Sequence, residues 1–233
     1  MLMKLLTLKD NLLKTKLDIK KACTEVQRRP EDVRLIGVTK NQTAETIREA
    51  YNAGIYNIAE NYLQEALPKI KLLEDLDITW HYIGAIQSNK TRQIANNFSW
   101  IHSVDSLKIG DRLSKQCPQS KTLNLLIQVN IDNDPQKRGV HVEELEGMIT
   151  HMLQLPNILV RGLMIILSED TEPSSAYREA SNIFKTLKSH KSNQENIYWD
   201  TLSMGMSKDF YQAILSGSNT IRIGTTLFGA RHK

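Results

Sequence analysis

At 233 residues the chain can form one large domain or two small ones, and with 40% hydrophobic and 24% charged residues it has the composition of a globular protein with a real core. The formal net charge of +4 is spread without a Lys/Arg block, which argues against a nucleic-acid partner. Cys23 and Cys117 lie far apart, which argues against a disulfide-stapled secreted fold, and no apolar run approaches the roughly 20 residues of a membrane span, so a cytoplasmic protein with no membrane partner is expected.

Residues 1–28 carry Leu5, Leu8, Leu12, Ile19, Ala22 and Val26 on one stripe at helical spacing, which predicts a long amphipathic helix. After Pro30, Leu35-Ile36-Gly37-Val38-Thr39-Lys40 reads as a strand ending on a lysine that, counted by two, shares a face with Ile36 and Val38. That lysine has two readings. It is a charged strand terminus whose stem lies on apolar surface, or a desolvated amine with a lowered pKa, ready to condense with a carbonyl.

A helix over 43–53 closed by Gly54 and a strand over 55–58 follow. Alternation then continues: helix 61–73, strand 78–83, helix 91–96, strand 100–104, helix 106–115, strand 123–130, helix 142–153 and strand 158–165. Helix 174–188, strand 197–202, helix 207–215 ended by Gly217 and strand 220–223 complete it. Parallel strands need such crossovers, and eight strands at this length predict an α/β fold, a single (β/α)8 TIM-type barrel with an additional N-terminal helix. The alternative, an open doubly wound sheet, would want a Gly-rich fingerprint after the first strand, and Thr39-Lys40-Asn41-Gln42 is not one.

A barrel keeps its active site at the C-terminal ends of its strands, and unusual residues collect there: Lys40, Glu60-Asn61, His81 with Gly84, Ser103 with Asp105, Asn130, Met164, Ser203-Met204-Gly205, and Arg222 with Gly224-Thr225. Asn61 with Gln64 also reads as an N-cap pair, Asp105 or Ser106 as another cap, and His81 and His102 as hydrogen-bonded core residues. The spacing offers no third zinc ligand. The loops Ser203-Met204-Gly205-Met206-Ser207 and Gly224-Thr225-Thr226 suit an anion, because glycines admit it to the backbone and Ser207 would cap the next helix. Ile221 and Ile223 share one face of the last strand and Arg222 the other, so if the isoleucines meet the outer helices the guanidinium enters the barrel. There it needs a carboxylate such as Glu60 or Asp105, or a ligand.

These segments, with Gln87-Ser88-Asn89-Lys90, His102-Ser103-Val104-Asp105, Gly162-Leu163-Met164 and Phe228-Gly229-Ala230-Arg231, resemble the pyridoxal phosphate homeostasis protein family, which shares its barrel with the N-terminal domain of alanine racemase. The likeness runs from about residue 33 to 231, which makes 1–233 one domain with an N-terminal helix over 1–28 and the barrel over 33–231. It implies that Lys40 holds pyridoxal 5'-phosphate as a Schiff base. Ser203, the backbone around Met204, Gly224 and Thr225 would hold the phosphate, and Arg222 would face the pyridine nitrogen. Asn61 and His81 would line the pocket, with Ile83 and Met164 at its walls. The departures are Thr39 where the family usually has Ser, Ala59 where Gly usually precedes Glu-Asn, and Ile166-Leu167-Ser168 where a proline-containing stretch is common.

A racemase needs two acid–base groups, and in alanine racemase the second comes from a C-terminal domain of the partner subunit, whereas this chain ends just after the barrel. The expected role is therefore cellular cofactor (vitamin B6) homeostasis, with catalytic residues none and enzymes that use the cofactor as candidate recipients. The alternative is a weak amino-acid racemase. A Schiff-base aldolase for a phosphosugar would leave the Arg222 motif unexplained. Monomer and weak dimer both stand open.

Overall fold

The computed structural model describes residues 7–191 and 198–229. Eight parallel strands close in sequence order into a barrel: β1 (Arg34–Val38), β2 (Asn57–Glu60), β3 (Thr79–Tyr82), β4 (Trp100–Val104), β5 (Leu123–Val129), β6 (Ile158–Ile165), β7 (Thr201–Ser203) and β8 (Thr220–Ile223). Helix α1 (Leu8–Glu25) precedes them. The crossovers are α2 (Ala44–Asn52), α3 (Leu63–Leu72), α4 (Thr91–Asn97), α5 (Leu107–Gln116), α6 (Leu145–Met152), α7 (Pro173–Lys191) and α8 (Phe210–Leu215), and a short α9 (Thr225–Phe228) follows β8.

The barrel and its added helix are as expected, and three boundaries move for local reasons. The strand expected over 55–58 runs over 57–60, because Gly54 at φ +94° closes α2 and the Ile55 amide still donates to Ala50 of that helix at 2.9 Å. The seventh strand is Thr201–Ser203, and the Ile197 end of the expected strand lies outside the described residues, as do Leu5 of the first helix and Ala230-Arg231 of the last motif. Helix α8 begins at Phe210, three residues beyond Ser207, because the Asp209 carboxylate takes the Met206 amide at 2.6 Å and turns the chain first.

Helix α1 starts with a capping box between Thr7 and Asp10 and buries Leu12, Ile19 and Ala22 against α8 and α9. Asn11 donates to the Leu227 carbonyl of α9 at 3.0 Å, and Arg28, just past the helix, to that of Ser218 at 2.8 Å, so the helix and the turn after it are tied to the elements on either side of β8.

The period of two sorts the core into layers. Ile221 and Ile223 join the large apolar layer between strands and helices, whereas Ile36, Val38 and Ala59 with Ile83, and Trp100, Leu126 and Met164 with Ile166, form separate clusters inside the barrel. In β6 the alternation is broken. Arg161 faces inward onto Trp100, yet Leu163 packs outward and Met164 inward, because the register against β5 shifts just before Gly162, which sits at φ +143°. A β-carbon there would lie 2.0 Å from the Thr201 carbonyl oxygen of β7.

These constraints give opposite expectations for two glycines. Gly162→Ala should destabilise by more than about 3 kcal/mol, since it combines a left-handed φ with a backbone clash. Gly147→Ala in α6, where an added β-carbon meets nothing within 4 Å, should stabilise by about 0.5–1 kcal/mol. Denaturant unfolding of both variants checks this, and equal effects would contradict the bulge assignment.

Candidate functional site

Lys40 is half-buried in the turn leaving β1, and the backbone around it is tied down from two sides. The Thr39 hydroxyl donates to the Glu60 carboxylate at 2.6 Å, and the Lys69 ammonium donates both to that carboxylate at 2.8 Å and to the Thr39 carbonyl at 3.0 Å. Glu60 is fully buried, and burial raises its pKa against the opposing hydrogen bonds from Lys69 and Thr39. Asn41 takes φ +61°, which asparagine tolerates, and its amide donates to Glu65 at 3.3 Å.

The next residue of interest, Asn61, is not a helix cap. The N-cap of α3 is Tyr62, without a side-chain cap bond, and Asn61 instead has a buried Oδ1 with no hydrogen-bond partner among the described residues. Gly84 packs so closely on Asn61 that a β-carbon there would lie 1.9 Å from the Asn61 carbonyl oxygen. A buried acceptor left unpaired costs roughly 1–3 kcal/mol, so this atom is placed for a donor that the chain does not supply.

The loops after β7 and β8 are joined by the Thr226 amide, which donates to the Ser207 hydroxyl at 3.3 Å. The Met204 amide goes to the Thr220 carbonyl at 3.1 Å, the Met206 amide to Asp209, and the Gly205 amide bonds the hydroxyl of Tyr177. Thr225 opens α9 after Gly224, with no side-chain cap, so the first amide of that turn has no intrahelical acceptor. Ser207, Gly224 and Thr225 therefore carry the donors of these joined loops that are not taken up by the contacts above. Ser203, expected at the phosphate, is enclosed, and the Met204 side chain belongs to the outer core.

What Ser203 does instead emerges inside the barrel. Arg222 is 3% exposed and bonds no carboxylate among the described residues: its Nη1 donates to the Ser203 hydroxyl at 2.6 Å and its Nη2 to the Ile165 carbonyl at 2.8 Å. Glu60 belongs to Lys69, and Asp105 to Arg138 at 3.3 Å. Ser203 Oγ is 3.1 Å from His102 Nδ1, His102 Nε2 is 3.0 Å from His81 Nδ1, and His81 Nε2 is 3.1 Å from Asn57 Oδ1. Burial, with Arg34 nearby, lowers the His81 pKa to about 3, and burial, His81 and the Arg222 and Arg34 charges hold His102 well below 6.5. Burial brings Arg222 down to about 10, which leaves it charged at neutral pH.

The structure thus gathers Arg222, Ser203 and His81 into one interior chain and leaves Lys40, Asn61, Gly224 and Thr225 at the C-terminal ends of their strands. Ile83 and Met164 contribute to the two apolar clusters within the barrel. Sequence reasoning passed over Asn57 and treated His102 as a separate core residue; the available signal was alternation, which sets His102 two residues after Trp100 on the inward face of β4. A polar cavity of ≈ 210 Å³ at the opposite end of the barrel is lined by Glu31, Asp32, Arg34, Asp200, Thr201, Asn219 and Thr220, and none of the mouth residues borders it.

Residues 18–232 match the family described as alanine racemase, N-terminal domain. A pyridoxal phosphate homeostasis protein of Pseudomonas aeruginosa is 43% identical over 226 residues, covering 97% of this chain and 96% of that protein, and its Escherichia coli K12 counterpart is 39% identical, covering 95% of each. The chain belongs to the pyridoxal phosphate homeostasis protein family. A solved structure, PipY of Synechococcus elongatus with pyridoxal phosphate bound, matches this family member with a TM-score of 0.80 at 35% identity, over 91% of this chain and 100% of that one. An alanine racemase of Clostridium difficile matches at a TM-score of 0.71 and 14% identity, over 97% of this chain and 60% of the racemase, a likeness of fold.

The neutral histidines make stability depend on pH in a defined direction. Both rings take up a proton near pH 6.5 when the chain unfolds but resist it when folded, so their stabilising contribution is whole above pH 6.5 and is lost as pH falls, for His81 down to about 3. At pH 5 the loss is about 2 kcal/mol for His81. The stability lost between pH 7 and pH 5 should therefore be about 2 kcal/mol smaller in His81→Gln than in the wild type, as read by denaturant titration. Parallel curves would mean that the ring titrates in the native state.

Proposed function

We propose that this protein holds pyridoxal 5'-phosphate covalently on Lys40 at the mouth of its barrel and takes part in managing that cofactor in the cytoplasm, without turning over an amino acid at an enzymatic rate. The carrying observation is Arg222, a buried guanidinium that bonds a hydroxyl and a carbonyl but, among the described residues, no carboxylate. Its fork has five N–H donors, so donors remain for an acceptor that carries no acidic proton, and a pyridine nitrogen is one.

The donor set at the mouth fits the group. The unpaired Asn61 Oδ1 would accept from it, Ser207 and the amides of Gly224 and Thr225 would donate to its phosphate, and Ile83 and Met164 would wall its ring. Ser203 and His81 act from beneath, through Arg222. When bound, the cofactor supplies an aldehyde carbon as the electrophile for the Lys40 amine. A guanidinium beside the ring nitrogen keeps protons off it and so weakens the ring as an electron sink.

Among the described residues the arrangement offers no second acid–base group for racemisation. Tyr62 is 55% exposed at the N-cap of α3, and both ring nitrogens of His81 are engaged. Among the described residues no helix is long and apolar enough to cross a membrane, and the two cysteines are buried and unpaired. Enzymes that use the cofactor are the proposed recipients, and the protein is proposed to act as a monomer or weak dimer.

Borohydride reduction of the loaded protein followed by peptide mass spectrometry tests the attachment. The adduct is expected on Lys40 and should vanish in Lys40→Ala, which keeps its fold because the residue lies beyond the strand. An adduct confined to Lys90 or Lys137 would refute the assignment.

A further inference from the structure

We infer that Ser203, His102, His81 and Asn57 are positioning residues for Arg222: they form a hydrogen-bond chain across the barrel interior that runs in one direction only and fixes the guanidinium where the cofactor's ring nitrogen would meet it. The inference rests on the cofactor reading above, and it assigns the polar interior to that pocket.

The direction follows from proton counting along measured contacts. A guanidinium has donors only, so Ser203 Oγ accepts from Arg222 across their 2.6 Å contact. The serine's own proton then needs an acceptor in a site with no exposure, and the remaining neighbour of that oxygen is His102 Nδ1 at 3.1 Å. With Nδ1 bare, a neutral His102 carries its proton on Nε2 and donates to His81 Nδ1 at 3.0 Å. His81 repeats the pattern and donates from Nε2 to Asn57 Oδ1 at 3.1 Å.

The reverse order fails at one end. If Asn57 donated from its amide nitrogen, each imidazole would carry its proton on Nδ1, and Ser203 Oγ would accept from both Arg222 and His102 while its own proton had no partner. A buried hydroxyl proton without an acceptor is what native interiors avoid. The chain therefore starts at the guanidinium and ends at an amide oxygen.

Five strands contribute: β2, β3, β4, β7 and β8. His81 stacks on Trp100 with ring centroids 5.7 Å apart, which restrains its plane as well as its protons. Arg222 is thus held at Nη1 by the chain and at Nη2 by the Ile165 carbonyl, and a guanidinium fixed at both tips cannot swivel away from an acceptor.

The test begins with the full-length protein free of cofactor and labelled with 15N-histidine. Long-range 1H–15N correlation should show both rings with a bare Nδ1 and a protonated Nε2; a proton on Nδ1 of either ring overturns the inference, whatever variants do. Ser203→Ala then removes the oxygen between Arg222 and His102. His102 should lose its single-tautomer pattern. With ring-15N pyridoxal phosphate loaded, the ring-nitrogen resonance should move toward that of an unbonded pyridine while the Lys40 adduct persists. Uptake with an unmoved resonance overturns this inference alone; a wild type that takes up no labelled cofactor overturns the binding reading and the inference with it.

Discussion

A charged guanidinium inside a closed barrel is the constraint from which the rest of this interior follows. Moving such a charge from water into protein costs several kcal/mol unless hydrogen bonds replace the water, and Arg222 obtains them from Ser203 and the Ile165 carbonyl and, among the described residues, from no carboxylate. An acid would satisfy Arg222 outright, but its charge would also compete with any ligand. A hydroxyl and a carbonyl satisfy part of the fork and leave the rest available. Two imidazoles can stand behind that hydroxyl only if they are neutral, and burial beside arginine charges keeps them so.

The two ends of the barrel divide the work. At the foot, the guanidinium groups of Arg34 and Arg161 lie 4.7 and 4.8 Å from the Trp100 ring centroid, and Arg161 also pairs with Asp200. At the mouth, a second buried charge steadies the lysine loop. Glu60 and Lys69 bridge the end of β2, α3 and the Thr39 carbonyl, and removing one partner of such a pair strands the other, at a cost of about 3–5 kcal/mol. The site is thus rigid beneath and beside Lys40, while its upper loops carry the amides that an anion would use.

The barrel was legible because strand periods of two and helix periods near 3.6 alternate along the whole chain with few breaks. Arg222 was legible in the same way, since Ile221 and Ile223 on either side of it dictate which face enters the barrel. The choice between a cap and a ligand group at Asn61 was not, because it depends on whether α3 starts at residue 62 or 63, a matter of one turn's geometry. Ser203 and Ser207 were likewise indistinguishable as serines in one glycine-containing loop. Their separation depends on Ser203 being the last residue of β7, pointing inward, with Ser207 in the turn beyond. The inward turn of Met164 required a bulge, and Gly162 was its only sequence sign.

On the proposed reading, this pocket binds the cofactor with its ring nitrogen bare and so stores reactive aldehyde without making it a catalyst. Deuterium incorporation at the α-carbon of L-alanine in heavy water, with cofactor-loaded protein beside free pyridoxal phosphate, measures that claim directly. Exchange close to that of the free cofactor is expected, because neither a ring proton nor a second base is provided. Exchange or D-alanine formation at several turnovers per second would contradict it.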